Sequence, residues 1–174
     1  DKQIILITGA TGALDSTAAR DFADADATLI LNGRSADNLA QIEGEQTRLA
    51  CGLTDEDQCN QLIHTIVEHY GRIDGLLNIA GGFAMGPKVH ELSHAQFEEM
   101  FCINFSSSFN TCRSVLAQMN QQGHGNIVNV AARSALQGKA KMAPYCIAKS
   151  AVVTLTESMA AEHQHDDINI NCIL

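Results

Sequence analysis

Short apolar runs alternate along the chain with longer segments in which apolar residues recur at helical spacing. Six runs are short and rich enough in aliphatic residues to be buried strands: 4–8, 28–31, 48–53, 75–79, 126–130 and 168–174. Helical spacing extends over five segments: 14–25, 36–43, 55–70, 94–120 and 145–163. This alternation predicts parallel strands joined by right-handed crossovers, and hence an α/β fold with an open, doubly wound parallel sheet between two helical layers.

The composition indicates one globular domain over residues 1–174. Hydrophobic residues make up 45% of the chain and charged residues 18%, as in ordinary folded proteins. The chain starts without a methionine at Asp1 and stops inside an apolar run at Leu174, so we expect it to be part of a longer protein. The six cysteines contain no C-x-x-C pair, which favours buried reduced thiols over a disulfide scaffold.

Charge and hydropathy exclude two classes of partner. The formal net charge of -9 argues against nucleic acid, which needs a basic surface to displace counterions. No apolar run approaches the roughly 18 residues of a membrane span, and no leader precedes the first strand. We therefore expect a cytoplasmic protein whose partner is a small-molecule substrate.

Tyr145 and Lys149 stand four residues apart near the start of the last predicted helix. Four residues are about one helical turn, so both side chains share a face. An ammonium close to a phenol should lower the pKa of the phenol from its ordinary value of about 10, less whatever burial adds. Such a tyrosine can exchange a proton with a substrate oxygen near neutral pH, although an ordinary amphipathic helix could carry the same pair.

A small-residue turn, TGATGALD, follows the first strand at residues 8–15. In a doubly wound sheet this turn feeds a helix N-terminus, where free backbone amides and the helix dipole bind a diphosphate. The second strand leads to Arg34 and Ser35 where the ribose of a dinucleotide would lie, and no carboxylate stands there. Arginine pairs with a 2′-phosphate, so the sequence favours NADP over NAD, unless Arg34 is only a solvated loop cation.

Together these motifs resemble the short-chain dehydrogenase/reductase family, whose members have a Rossmann fold. The resemblance extends over the whole chain and adds two further elements, the segment Asn78-Ile79-Ala80-Gly81 after the fourth strand and Asn104 in the long helix. It implies that Tyr145 is the general acid/base and that Lys149 holds the nicotinamide ribose. It also implies that Asn104 supports a water that leads protons to Lys149.

The resemblance implies further contacts and partners for the chain. The cofactor would be NADP, with NAD possible, and it would contact residues after the first four strands and on the last helix: Gly9, Thr11, Gly12, Leu14, Arg34, Ser35, Leu53, Asn78, Ala80, Gly81, Tyr145 and Lys149. Helices 94–120 and 145–163 would pair between subunits of a homodimer or homotetramer. The segment that closes the substrate pocket would follow the sixth strand, beyond Leu174, so we expect this chain to lack it and the substrate itself is not predicted.

One departure from the family pattern concerns the substrate. The family usually has a serine 13 residues before the tyrosine, and this chain has Ala132 there, with Ser134 as the nearest hydroxyl. An alanine there, together with Gly81-Gly82-Phe83, resembles the dihydropteridine-reductase-like branch, which reduces a ring C=N. Ser134 is either a substitute hydroxyl in the active site or a residue that only lines the loop.

Three other departures concern the cofactor. Ala13 and Asp15 occupy the second and third glycine positions, and Gly52 replaces the acidic residue that usually contacts adenine. A carboxylate at Asp15 about 6 Å from a phosphate would weaken binding by roughly two decades, unless the side chain turns outward as a helix cap.

Residues 90–94 read HELSH and match the zinc-peptidase string H-E-x-x-H. Ser93 and Gln96 instead form the pattern of a capping box that opens the next helix, which leaves His90 outside it. We therefore predict no metal site. The sequence predicts an NADP-dependent oxidoreductase acting on a carbonyl or imine carbon; the alternative is a non-catalytic nucleotide-binding or regulatory relative, motivated by Asp15, Gly52 and Ala132.

Overall fold

The computed structural model describes residues 2–11 and 27–174 of the chain. Six strands are found in these residues: β1 (Ile4–Thr8), β2 (Thr28–Gly33), β3 (Thr47–Ala50), β4 (Gly75–Asn78), β5 (His124–Val130) and β6 (Asp167–Ile173). All neighbouring strands are parallel, and their order is β3-β2-β1-β4-β5-β6. The predicted doubly wound α/β fold is therefore confirmed.

The same residues contain five α-helices: α1 (Ala36–Ala40), α2 (Glu56–Tyr70), α3 (His94–Phe101), α4 (Ser107–Gln122) and α5 (Ala143–Glu162). None of these helices combines the length and apolar character that crossing a lipid bilayer requires. The helix predicted over 14–25 lies outside the described residues, as do Gly12, Leu14 and Asp15.

The alternating side chains of β1 explain why the strands read as continuous apolar runs. Ile4 and Leu6 pack into a cluster with α2 and α4, whereas Ile5 and Ile7 pack into a second cluster with Leu39 of α1. Because helices cover both faces of the sheet, successive residues of a strand are buried in turn. The result is the three-layer arrangement of helices, sheet and helices.

Two predicted elements end earlier than their hydrophobic patterns suggest. The third strand ends at Ala50 rather than residue 53, because the Gly52 amide donates to Gln58 Oε1 at 2.9 Å and the chain turns. The first described helix ends at Ala40 rather than residue 43, with Gln41 as its C-cap, and the Arg48 guanidinium binds the carbonyl of Gly44 at 2.7 Å in the turn that follows. In both turns a side chain satisfies a backbone polar group outside the regular element.

The long helix predicted over 94–120 is interrupted. A π-helical segment, Cys102–Ser106, separates α3 from α4, and the Ser107 amide donates to the Cys102 carbonyl five residues back. The segment holds Asn104, which is fully buried. Single π turns of this kind are frequent at functional sites because they reorient one side chain within an otherwise regular helix.

At the amino ends of the strands, Asp74 holds three elements together. Its carboxylate accepts hydrogen bonds from the Ile4 amide at 2.7 Å, from Arg72 Nε at 2.9 Å and from His124 Nε2 at 3.0 Å. Burial alone would raise the pKa of Asp74, but these hydrogen bonds outweigh it and hold that pKa below its ordinary value. The same bond to Asp74 raises the pKa of His124. This cluster joins β1, β4 and β5 at the amino edge of the sheet.

Candidate active site

A crevice opens at the carboxyl edge of the sheet, where β1 lies between β2 and β4 and the direction of strand order reverses. Ligands of doubly wound sheets bind at this position. The crevice contains a cavity of about 240 Å³ whose walls come from the ends of four strands and the π-helical segment: Gly9, Thr11, Asn32, Gly33, Arg34, Cys51, Leu53, Thr54, Ala80, Gly81, Gly82, Ile103 and Ser107.

The floor of the crevice depends on a close approach between two turns. Gly9 has a φ of +76°, and a Cβ placed on it would lie 2.8 Å from Ala80 Cα. The Thr8 hydroxyl joins the same turns, because it accepts the Ala80 amide at 3.2 Å and donates to Asn78 Oδ1 at 2.8 Å. A side chain at residue 9 would therefore both strain the backbone and push the two turns apart.

Asn78, a predicted cofactor contact, has a buried side chain and is not among the residues that line the cavity. It is 1% exposed, and its Nδ2 donates to Asn129 Oδ1 at 3.0 Å while its Oδ1 accepts from Thr8. Asn129 in turn donates to Thr156 Oγ1 of α5 at 2.9 Å. These buried polar groups satisfy one another, so the Asn78 amide is a structural tie between β1, β4 and β5 rather than a free ligand.

The predicted ribose end of the crevice carries Arg34. Its side chain is exposed and forms no ion pair with any residue in 2–11 or 27–174, and the cavity walls in those residues contain no carboxylate. The neighbouring Ser35 is less available, because its hydroxyl accepts the Asn38 amide at 3.2 Å as the N-cap of α1. Arg34 is thus placed to attract an anion, while Ser35 mainly stabilises the helix that follows.

Asn104 reaches from the π-helical segment to the backbone after β4. Its Nδ2 donates to the Gly82 carbonyl at 2.8 Å, and its Oδ1 accepts the Gly82 amide at 3.2 Å. A Cβ on Gly81 would lie 2.7 Å from Asn104 Oδ1 and 3.5 Å from Lys149 Nζ. Asn104, Gly81 and Lys149 therefore lie close together beside the crevice, and their roles toward a cofactor stay predictions.

Lys149 is buried, with 4% of its surface exposed, and its ammonium donates to the Val130 carbonyl at 2.9 Å. Burial lowers the pKa of Lys149, because the charged form loses hydration. Since an ammonium has three N–H donors, the bond to Val130 leaves others for a ligand. The position of the ammonium is set by β5, not by the helix alone.

The pKa of Tyr145 differs from the prediction. Its ring is half-buried against Phe83, with centroids 5.0 Å apart and an edge-to-face angle of 77°. Burial, and then the neighbouring Cys146, raise the pKa of Tyr145 above its ordinary value of about 10. The expectation that Lys149 lowers this pKa is wrong for this arrangement, because Lys149 is directed to Val130 and burial dominates.

Ser134 lies in a short 3₁₀ segment, Arg133–Ala135, after β5. Its hydroxyl is buried and has no hydrogen-bond partner among the described residues. Its hydrogen-bonding capacity is thus unused within the described residues, and its role as a substitute for the absent serine at Ala132 stays a prediction.

Several residues of the site were missed by the sequence analysis. Phe83 packs on Tyr145, and a Cβ on Gly82 would lie 2.9 Å from Ile103 Cδ1, so the Ile103 side chain would have to shift to admit one. Cys51 and Ile103 also form part of the crevice wall. Phe83 and Cys51 follow strands, and that position in the sequence could have indicated them. Ile103 lies in the π-helical segment, which the sequence pattern did not predict.

The histidines of the HELSH string do not converge. His90 belongs to a 3₁₀ segment, Val89–Glu91, while His94 is the first residue of α3. The predicted capping box is confirmed, because the Ser93 hydroxyl accepts the Gln96 amide at 3.2 Å and Gln96 Oε1 accepts the Ser93 amide at 3.1 Å. Among the described residues no group of three or more ligating side chains could hold a metal ion.

The residues of the crevice fit a nicotinamide dinucleotide. At residue 9 a side chain is excluded, which leaves backbone exposed where a diphosphate would approach. Arg34, which forms no ion pair within residues 2–11 and 27–174, lines the cavity, and the Lys149 ammonium lies next to Gly81 of the same wall. The remaining wall is apolar or carries neutral donors, as expected for a nucleotide site.

The chain is similar to known proteins over nearly its whole length. A family model described as short chain dehydrogenase matches residues 3–174. An uncharacterized oxidoreductase of Thermotoga maritima is 29% identical over 177 residues, which cover 98% of this chain and 70% of that protein. The structure of ElxO with NADP bound has a TM-score of 0.92 and 27% identity, covering 99% of this chain and 72% of the other.

The structure of NAD⁺-bound xylitol dehydrogenase has a TM-score of 0.91 and 27% identity, covering 98% of this chain and 68% of the other. Bound structures of similar proteins thus include both nicotinamide cofactors. The chain belongs to the short-chain dehydrogenase family and is an NAD(P)-dependent oxidoreductase.

Proposed function

We propose that the chain is an NADP-dependent reductase that moves a hydride between nicotinamide and a carbonyl or imine carbon of a small molecule, with Tyr145 as general acid/base. The observation that carries the proposal is the position of Tyr145. Its hydroxyl has no hydrogen-bond partner among the described residues and lies on the same turn of α5 as Lys149, whose ammonium is anchored beside Gly81. A phenol and an ammonium left available at a ligand crevice are suited to proton exchange.

The proton chemistry follows from the two pKa shifts. When bound, the nicotinamide cofactor supplies or accepts the hydride. Because burial raises the pKa of Tyr145, its phenol is protonated at neutral pH and can donate that proton to a substrate oxygen or nitrogen. Lys149, held by Val130, keeps its remaining N–H donors for the ligand, and Asn104 holds the neighbouring Gly82 backbone in place.

The general-acid role predicts a specific loss in Tyr145→Phe. The reduction rate should fall by at least about 100-fold, while the dissociation constant of NADPH changes little, because only the proton donor is removed.

The wild-type reduction rate should be flat through neutral pH and fall only above about pH 10, since the pKa of Tyr145 is raised and the protonated phenol is required. Stopped-flow reduction of a panel of aldehydes and ketones measures both the loss in Tyr145→Phe and this pH profile; a rate that falls through pH 7 would contradict this protonation state.

The preference for NADP is supported by Arg34 and by the absence of a carboxylate from the described cavity wall. We expect Arg34→Ala to weaken NADPH binding by roughly 10- to 100-fold and to leave NADH binding unchanged, because only NADPH carries a 2′-phosphate. Arg113→Ala is the matched control, since Arg113 pairs with Glu56 at 2.6 Å and does not line the crevice. Fluorescence titration of both cofactors measures the effect, and equal losses for NADPH and NADH would argue against the preference.

A non-catalytic nucleotide-binding relative is the second candidate, and one observation favours it. Ala132 provides no hydroxyl to orient a carbonyl, and the Ser134 hydroxyl is buried. The experiments above separate the two functions. Tight NADPH binding with no reduction of any compound in the panel would favour the non-catalytic protein.

Assembly through the two helical segments 94–120 and 145–163 stays a prediction. Four phenylalanines at a spacing of four residues stack along the first segment: Phe97, Phe101, Phe105 and Phe109. Phe109 and Ile147 expose 40% and 48% of their surfaces, which is a cost that pairing would remove. We expect sedimentation velocity to show a homodimer or homotetramer that Phe109→Asp shifts toward monomer; a wild-type monomer at micromolar concentration would exclude it.

A further inference from the structure

Two loops adjoin the first turn of α5, which carries Tyr145, and we call them the entrance loops: residues 82–92 and 131–142. They are joined by a hydrogen bond from the Gly86 amide to the Lys141 carbonyl at 2.8 Å. The first loop also contacts the acid/base residue directly, because the Phe83 ring packs edge-to-face on Tyr145. The second is tied to α5 by the bond from Ser150 Oγ to the Ala135 carbonyl at 2.6 Å.

The entrance loops have a charge opposite to that of the chain. They contain four exposed cations, Lys88, Arg133, Lys139 and Lys141, and one carboxylate, Glu91, so their formal charge is 4 − 1 = +3 while the whole chain carries −9. None of the four cations forms an ion pair with another described residue. A local positive field on an acidic protein attracts and retains small anions.

The entrance loops also expose large apolar side chains. Of the eight large hydrophobic side chains that are exposed in the described part of the chain, four lie on these loops. Phe83 is 57% exposed, Met85 63% and Leu136 70%. Exposed apolar groups concentrated beside a reactive tyrosine are typical of a surface that binds the body of a ligand.

Lys141 adds an independent observation. It has a φ of 62°, and it is the one non-glycine residue with positive φ among residues 2–11 and 27–174. Glycine or asparagine adopts this conformation more easily than lysine. Because the backbone at residue 141 would be less strained with glycine, we infer that the lysine side chain itself has a function there.

We propose that the entrance loops bind a substrate that has a flat apolar body and a carboxylate or phosphate group remote from its reacting carbon. The body lies against Phe83 next to Tyr145, and the anionic group is held by the entrance-loop lysines. This proposal gives a substrate class to the reductase proposed above, and it rests on that function. Because the lysines are exposed, each contributes modestly, roughly two- to fivefold in affinity.

The test uses four benzaldehydes that differ only in the para substituent: a carboxylate, a phosphate ester, a neutral methyl ester and a cationic trimethylammonium group. Binding to the full-length protein with NADP⁺ present is measured by calorimetry, and reduction with NADPH is followed in parallel. We expect the two anionic aldehydes to bind on the order of tenfold more tightly than the neutral one, and this preference to shrink with added salt. The comparison of carboxylate with phosphate identifies which anion the loops favour.

Variants locate the effect. Lys141→Gly and Lys139→Gln should each reduce the anion preference by roughly two- to fivefold, and Lys141→Gly should not lower the melting temperature, because glycine suits the left-handed conformation. Arg113→Gln removes the same charge from α4 and should leave the preference unchanged.

The possible outcomes distinguish a failure of the substrate class from a failure of the reductase function. If anionic and neutral aldehydes bind equally, or if no anion binds at millimolar concentration, the substrate class is wrong even when reduction occurs. If the anions bind selectively and the lysine variants weaken this, but no aldehyde is reduced, the anion-binding role of the entrance loops stands and the reductase function fails. An equal loss in Arg113→Gln would also overturn the inference, because the effect would then be one of net charge.

Discussion

The active crevice depends on the close approach of Gly9 to Ala80, which brings the ends of β1 and β4 together at the point where strand order reverses. The space for a Cβ at residue 9 is occupied by backbone atoms 2.8 Å away, and Thr8 and Asn78 tie the same two turns from below. Asn129 and Thr156 continue this buried chain of hydrogen bonds to α5, the helix that carries Tyr145 and Lys149. The turn that would hold a dinucleotide and the helix that would do the proton chemistry are therefore parts of one rigid network.

The sequence predicted the strands well because burial on both faces makes each one a continuous apolar run, which is a strong local signal. It missed the break in the long helix because the π turn at Asn104 is stabilised by Gly82, a residue 22 positions away. The pKa of Tyr145 was predicted in the wrong direction for a similar reason. Lys149 has an acceptor in Val130, 19 positions away on β5, and the spacing within one helix could not show it.

The sequence could indicate candidate site residues after the strands because the carboxyl ends of parallel strands share one edge of the sheet. Side-chain roles were harder to predict than positions. Asn78 and Ser35 stand at the expected places, yet their side chains satisfy neighbouring backbone and side-chain groups rather than facing the crevice. Arg34, Gly81 and Lys149 remain available there, so cofactor selection and proton transfer would depend on few groups.

The most direct test of this account compares Gly9→Ala with Gly71→Ala. Both glycines have left-handed φ values, 76° and 79°, but only Gly9 has atoms within contact distance of an added Cβ. Each substitution should cost about 1–2 kcal/mol of unfolding free energy for the strained backbone, and Gly9→Ala should cost more because it also separates two turns. Urea unfolding and NADPH titration should show a larger loss of stability and at least tenfold weaker binding in Gly9→Ala alone. If both variants bind NADPH like the wild type, the crevice between β1 and β4 is not the cofactor site.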